Sequence, residues 1–472
     1  MLQQASSLST DRLSALLGQL DSVDLSSLPR LIRQYVTSKP KAEIGSSIEP
    51  VDAYGLNGKR TGTHATWDRA AAHASGVDQI RRGKVAAFTV AGGQGSRLGF
   101  EGPKGCYPAG AVSGKSLFAA LADWILAAEH RFSSTPGSIP WFIMTSPANH
   151  QQTIDFFSAN HYFGLLPGNV FFFPQGQMPS LDMDTGRMLM ASGDTLALNP
   201  DGHGGSIKAL HASGACAEMA RRGVEQLCYV QIDNPLVRVI DPVFIGLHSV
   251  AADSAGLMSS KFVRKTDAAE KVGLLCRVDG QTAVIEYSDA PAEMQNAKTA
   301  DGKLKFNAGS IAIHMISRRF IEQLNESADS VMPYHRAEKK VPYYDLSQGK
   351  MVSTGANNAV KLETFVFDAL PLAGGQPPRG SIVMETDRID EFAPIKNADG
   401  NDSPQTCAAI QTARAAAWLE ASGVAVPRKP DGTPDCTIEL SPRLCFDAAE
   451  VAHRVGSGIP GAIERGSRTL LA

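Results

Sequence analysis

VAAFTVAGGQGSRLGFEGPKG, residues 85–105, is the stretch whose reading decides the fold. VAAFTVA (85–91) is a continuous apolar run without alternation, the pattern of a strand covered on both faces in a parallel sheet. A glycine-rich turn follows at the strand's carboxyl end, where open α/β sheets bind their ligands. Gly92, Gly93, Gly95 and Gly99 let the backbone approach an anion closely and aim N–H groups at it, while Arg97 and Lys104 add two cations to the same loop. The pattern points to a phosphate-bearing ligand. Two better-known loops do not fit. Gly93-x-Gly95-x-x-Leu98 lacks the third glycine of the dinucleotide fingerprint, and the glycine before Gly114-Lys115-Ser116 is Gly110, one residue too close for a Walker loop. Gly114-Lys115-Ser116 therefore reads as a helix start.

Working outward, Leu117, Ala120, Leu121, Trp124, Ile125 and Ala128 mark one face of a helix that Ser116 can cap. WFIMTS (141–146), VFFF (170–173) and LCYVQID (227–233) read as further strands, with helical stretches at 148–160 and 206–222 between them. Strand and helix alternating at this spacing predict a doubly wound α/β sheet. LLCRV, Asp279-Gly280 and TAVIEYS predict a β-hairpin over 274–288, and SIAIHMIS (310–317) one more strand. Upstream, Leu13, Leu16, Leu17 and Leu20, then Leu28, Leu31 and Ile32, fall at helical spacing before a polar stretch reaching Gly76. Downstream of about 386 come the Ala-rich CAAIQTARAAAWLEA and a tail of short strand-like pieces. The expected organisation is an N-terminal helical region (1–80), a catalytic domain (81–385) and a small C-terminal domain (386–472).

Composition narrows the partners. The chain has 472 residues, 43% hydrophobic and 20% charged, with a net charge of −3, so no global basic field draws it to nucleic acid or an anionic membrane. Its seven cysteines are scattered and form no C-x-x-C pair, which suggests reduced cytosol and no zinc ribbon. The start shows no leader and no long apolar run follows, so a cytoplasmic location is expected.

GGQGSRLGFEGPKG resembles the signature loop of the eukaryotic-type UDP-sugar pyrophosphorylases, and in particular their UDP-N-acetylhexosamine branch. Further matches follow in family order: MTS (144–146), FFFPQ (171–175), PDGHGG (200–205), QIDNP (231–235), EYSD (286–289), FNAGSIAIH (306–314), KKVPYYD (339–345), AVKLETFVFD (359–368) and DEFAPIKNADG (390–400). The resemblance implies a Rossmann-like nucleotide-diphospho-sugar transferase domain. It also implies a reaction joining UTP and a sugar 1-phosphate to UDP-sugar and pyrophosphate with Mg²⁺.

Such chemistry gathers two polyanions and neutralises them, so several cations should converge. The resemblance assigns Arg97, Lys104 and Lys361 to catalysis, with Lys104 on the UTP phosphates and Lys361 toward the transferred phosphate. By the residues alone, Lys361 is a surface lysine in an apolar setting. Gly92, Gly93, Gln175, Gly202 and His203 are assigned to the nucleotide, and Gly273, Glu286 and Asn307 to the sugar. Asp233, at the end of a strand, suits Mg²⁺, although a strand-end Asp is otherwise often a turn or helix cap. Ser96, Asp289 and His203 depart from the N-acetylhexosamine pattern, where Thr, Glu and often Asn stand. The histidine is frequent in the glucose branch, so a UDP-glucose or broad UDP-sugar enzyme is the alternative.

Overall fold

The computed structural model describes residues 8–38, 44–133, 135–326, 332–374 and 379–472. They divide into two compact units, each assembled from separated pieces of chain. The larger comprises 44–174, 210–326 and 370–472; the smaller comprises 1–43, 175–209 and 327–369. Residues of the N-terminal 1–80 and of the central 81–385 thus contribute to both units.

The larger unit is built on a ten-stranded sheet: β1 (Ile48–Pro50), β2 (Val85–Val90), β3 (Trp141–Thr145), β4 (Val170–Pro174), β5 (Gln226–Gln231), β6 (Met258–Arg264), β7 (Leu274–Val278), β8 (Gln281–Ile285), β9 (Ala308–Ser317) and β10 (Val383–Glu385). β4, β3, β2 and β5 lie side by side and parallel, the 3-2-1-4 order of a doubly wound half, as the alternation of elements predicts. β2 explains why this arrangement forms. Val85, Ala86, Ala87 and Phe88 are at most 1% exposed, so the run that lacks alternation is indeed covered on both faces. Beyond β5 the sheet turns antiparallel through β9, which pairs with β6 along one side and meets β7 on the other. The hairpin β7–β8 turns at Asp279 (φ 47°) and Gly280 (φ 82°), the two positive φ angles of a tight hairpin loop.

Helices α1 (Arg69–Arg81), α2 (Leu117–Phe132), α3 (His150–Ala159), α4 (Pro242–Val250) and α5 (Pro404–Ala421) belong to the same unit. Ser116 caps α2 by accepting from Ala119 N–H (3.1 Å), and Lys115 Nζ bonds Asp123 (2.6 Å), which confirms Gly114-Lys115-Ser116 as a helix start. α1 and α4 cross at two glycines: a Cβ on Gly76 would lie 1.8 Å from the Pro242 oxygen, and one on Gly246 1.8 Å from the Ala72 oxygen. The polar stretch upstream of Gly76 also holds a strand. Residues 48–50 form strand β1 on β7, an edge pairing made by backbone groups that side-chain periodicity does not report. The expected helix 206–222 is two, Gly205–Ala212 and Ala215–Arg222, broken where Gly214 adopts φ 81°. In the C-terminal portion, α5, Thr437–Leu440 and Arg468–Leu471 enclose their own apolar cluster with Trp418, Leu419, Ile438, Val451 and Ile459.

In the smaller unit, Ala359–Glu363 pairs antiparallel with both His335–Lys339 and Leu181–Asp182. Leu28, Leu31 and Val36 pack on Met178, Leu181, Val360 and Leu362. Leu16, from the helix Thr10–Asp21, joins Met190 and Leu196. Leu16 and Leu20 in one cluster, and Leu28 and Leu31 in the other, are therefore the N-terminal segment's contribution, while Leu17 is half exposed.

Candidate active site

The parallel strand order reverses direction between β2 and β5, and the crevice at their carboxyl ends is where doubly wound sheets take ligands. The glycine-rich loop follows one of these strand ends and Asp233 the other. After β2 the loop closes on itself: Gly95 N–H donates to Gly102 O (2.9 Å), Phe100 N–H to Gly95 O (3.2 Å) and Lys104 N–H to Gly93 O (3.0 Å). Gly99 sits at φ 65°, so the turn requires glycine there. Gly93 differs, because a Cβ on it would meet nothing within 4 Å. The chain's own packing does not need that glycine, whereas a phosphate approaching the backbone would. Arg97 is exposed and forms no ion pair among the described residues.

Asn149 holds the loop from beneath, and sequence reasoning passed over it. Its fully buried amide donates to Ala91 O (3.1 Å) and Gly93 O (3.3 Å) and accepts from Ser146 N–H (2.8 Å). Its only sequence signal is its place just after the MTS motif at the head of α3.

Lys104 and Asp233 face each other, with Nζ 3.6 Å from Oδ2 and side chains 16% and 13% exposed. Asp233 stands two residues beyond β5, and its carbonyl accepts from Ile395 N–H (2.8 Å). Asn234 then makes the turn expected after Asp233, donating to Glu391 O (2.6 Å) and accepting from Ala393 N–H (3.1 Å). DEFAPIKNADG is thereby stitched onto QIDNP. A small cavity of about 70 Å³ opens at the seam, lined among others by Asp233, Asn234, Ser310, Ala312, Phe392 and Lys396. Lys396 is a cation the sequence reading did not single out; it also lies 3.5 Å from Asp402. Ala312 holds φ 54° where β9 bulges against β6, a strained conformation for a residue with a Cβ, at the cavity wall.

Gly273, Glu286 and Asn307 come together through β7, β8 and β9. Leu274 pairs with both Ile285 and Gly309, and Ser310 N–H donates to Gly273 O (2.8 Å). A Cβ on Gly273 would lie 2.7 Å from Val284 Cγ1, which is why glycine stands there, and 3.4 Å from Glu286 Oε1, which places that carboxylate beside it. Asn307 is anchored by its carbonyl, which accepts from Lys265 N–H (2.8 Å). Ser310 joins this group to the cavity beside Asp233.

Gln175, Gly202, His203 and Lys361 belong to the smaller unit. Gln175 is buried. Gly202, at φ 85°, comes so close to the 363–364 backbone that a Cβ would lie 2.4 Å from Thr364 O. His203 Nδ1 accepts from Val366 N–H (3.2 Å), and its ring stacks on Phe365 (5.1 Å between centroids, 13° between planes). Burial, with the nearby His335 adding to it, pushes its pKa down to about 4. The imidazole is therefore neutral at physiological pH, and the Val366 bond leaves the proton on Nε2 as a donor. Lys361 lies mid-strand opposite Ala337, two residues before the Glu363 that abuts Gly202, and burial lowers its pKa. Asp201, also unforeseen, packs its carboxyl against Gly176 and Gly205, and burial raises its pKa to about 6.

For a divalent cation the larger unit offers one well-placed carboxylate. Among the described residues no group of three or more His, Cys, Asp or Glu could enclose a metal. A lone strand-end carboxylate suits Mg²⁺, which takes one or two carboxylates and completes its shell with phosphate oxygens and water.

The winding of the sheet and the lysine facing a strand-end carboxylate at its switch point define a doubly wound α/β protein with an anion-binding crevice. The family model described as UTP–glucose-1-phosphate uridylyltransferase matches residues 30–417, and this chain belongs to that family. The UDP-N-acetylglucosamine pyrophosphorylase of Saccharomyces cerevisiae is 37% identical over 387 residues, covering 81% of this chain and 78% of that protein. The crystal structure of the uridine diphosphate N-acetylglucosamine pyrophosphorylase of Trypanosoma brucei, solved with an inhibitor, superimposes with a TM-score of 0.80 at 26% identity, covering 99% and 95% of the two chains. A Leishmania major UDP-glucose pyrophosphorylase mutant shares the fold at 18% identity, with a TM-score of 0.60 and coverage of 92% and 84%.

Proposed function

We propose that this chain joins UTP and N-acetylglucosamine 1-phosphate to give UDP-N-acetylglucosamine and pyrophosphate. A phosphate oxygen of the sugar phosphate attacks the α-phosphorus of UTP, the bond from that phosphorus to the bridging oxygen breaks, and pyrophosphate leaves with its electron pair. The observation that carries the reading is family membership over 30–417 together with the Lys104 and Asp233 pair at the switch point.

In this reading Lys104, Arg97 and Lys361 neutralise phosphate charge along the reaction path, and fixed cations in a partly dry site stabilise the developing charge more than mobile ions in water do. The backbone at Gly92 and Gly93 makes room for the nucleotide. Gln175, Gly202 and the neutral His203 supply donors and acceptors to the base end, where no charge is needed. Glu286 and Asn307 bind sugar hydroxyls beside Gly273. Asp233 would hold Mg²⁺, which, when bound, draws charge from the phosphates. The reducing cytosol suits the chain, whose seven cysteines are all unpaired.

His203 favours one alternative, a UDP-glucose or broad-specificity enzyme. A pocket made for an acetamido group loses a methyl's burial and an amide hydrogen bond with the plain sugar, about 10- to 150-fold together. Initial rates of pyrophosphate release from UTP, Mg²⁺ and a panel of sugar 1-phosphates decide it. N-acetylglucosamine 1-phosphate should exceed glucose 1-phosphate by at least about tenfold in kcat/KM. Equal use, or preference for glucose 1-phosphate, would replace this reading with the alternative.

A further inference from the structure

Just past the glycine-rich loop, Ala109–Ser113 are gripped by side chains some 300 positions downstream. Glu439, 9% exposed, accepts from Val112 N–H (2.8 Å), Ser113 N–H (2.8 Å) and the Ser113 hydroxyl (2.6 Å). Gln411, buried on α5, donates to Ala109 O (2.8 Å) and accepts from Ala111 N–H (3.2 Å). Arg468 donates to Ala111 O (2.8 Å). A Cβ on Gly110 would run into Ser113 Oγ and Lys115 N and lie 3.0 Å from Glu439 Oε2, so glycine lets the turn close around the carboxylate. From this grip a run of backbone bonds leads to the site. Ala109 N–H donates to Lys115 O (2.7 Å), Leu117 N–H to Tyr107 O (3.0 Å), Tyr107 N–H to Lys104 O (3.0 Å) and Lys104 N–H to Gly93 O (3.0 Å).

We propose that Glu439, seconded by Gln411 and Arg468, is a positioning residue for uridylyl transfer. The C-terminal portion sets where Lys104 stands, so it contributes to turnover as well as to folding. None of the three is assigned a contact with substrate; each acts through the 109–113 backbone. A short loop held only by its own turns would leave Lys104 free to shift by an ångström, a displacement that can cost on the order of 10²-fold in rate. Charge-assisted bonds from a buried carboxylate remove that freedom.

The inference rests on the proposed UTP chemistry, and the two can fail separately: wild-type pyrophosphate release tests that chemistry, and the ratio of variant to wild type tests the positioning. In the full chain, Glu439→Ala should lower kcat/KM for UTP by roughly 10- to 100-fold per folded molecule and move the KM for UTP more than that for the sugar phosphate, in addition to the fall in thermal midpoint that the unpaired 112–113 groups bring. Glu439→Gln, which keeps one acceptor oxygen, should recover part of the loss. In a Lys104→Ala background, Glu439→Ala should cost less than about twofold, because the group it positions is gone. A purely structural role would lower the midpoint while kcat and both KM values per folded molecule stay within twofold, and that result overturns the proposal. Should Glu439→Ala fail to fold, Arg468→Gln and hydrogen exchange take its place. Exchange of the 104–107 amides should quicken in Arg468→Gln without any substrate present, and unchanged exchange there would equally overturn it.

Discussion

Truncation of Lys104 isolates the charge of its ammonium from the architecture of its loop. Its N–H donates to Gly93 O and its carbonyl accepts from Tyr107 N–H, both at 3.0 Å, and both bonds survive Lys104→Ala. The ammonium lies 3.6 Å from Asp233. At an effective dielectric near 20 that separation corresponds to about 4–5 kcal/mol of Coulomb attraction before desolvation. In the free protein most of this is offset by the lost hydration of two partly exposed groups, leaving about 0–1 kcal/mol of stability. A polyphosphate beside the same ammonium presents several negative charges, and they peak in the transition state. Removing one such contact typically costs 10²–10³ in rate, about 2.7–4 kcal/mol. Lys104→Ala should therefore lose about 10²–10³ in kcat/KM while its thermal midpoint stays within about 3 °C of the wild type. Pyrophosphate release under initial-rate conditions and scanning calorimetry measure the two quantities. A loss in kcat/KM below tenfold would refute the reasoning, as would a collapse of the midpoint with a normal rate per folded molecule.

Three other outcomes are expected. Asp233→Asn should raise the Mg²⁺ concentration for half-maximal activity; an unchanged magnesium titration would leave Asp233 with a structural role only. Folding holds His203 neutral down to about pH 4, while the unfolded chain protonates near 6.5. Its contribution is therefore fully present above pH 6.5 and is lost as pH falls toward 4, roughly 3 kcal/mol for that interval. His203→Gln should flatten this part of the acid dependence, leaving the part due to His248, which burial also holds low, near 3. Urea midpoints at pH 7.5 and 4.5 that differ by as much in the variant as in the wild type would contradict it. Gly246→Ala must push α1 from α4 to relieve a Cβ 1.8 Å from the Ala72 oxygen. Such overpacking costs about 1–3 kcal/mol or more, and a urea-derived change under 0.5 kcal/mol would show that the helices yield freely.

The sequence by itself determined the local and repetitive features. An uninterrupted apolar run has one comfortable home, the interior of a parallel sheet, so 85–91 located the central strand and with it the position of the glycine loop. Ser116 capping α2 and the Asp279-Gly280 turn were equally legible, because capping and positive φ depend on neighbours in the chain. Asp233 could be marked as the end of a strand, but its facing Lys104 could not be derived from spacing, since only the parallel pairing of β2 with β5 brings the two loops to one edge. Lys396 at the same cavity, Asn149 beneath the loop and Glu439 behind it left still less trace. Asn149 and Glu439 bond backbone far along the chain, which imposes no periodicity, composition or motif on the residue that does so, and Lys396 reaches the cavity only because 391–395 bonds to Asp233 and Asn234. Strand β1, inside a region that reads as helical and polar, was hidden for the same reason. Tertiary structure decided those matters because register and approach are set by how whole elements stack, and the chain encodes that stacking only in the sum of its contacts.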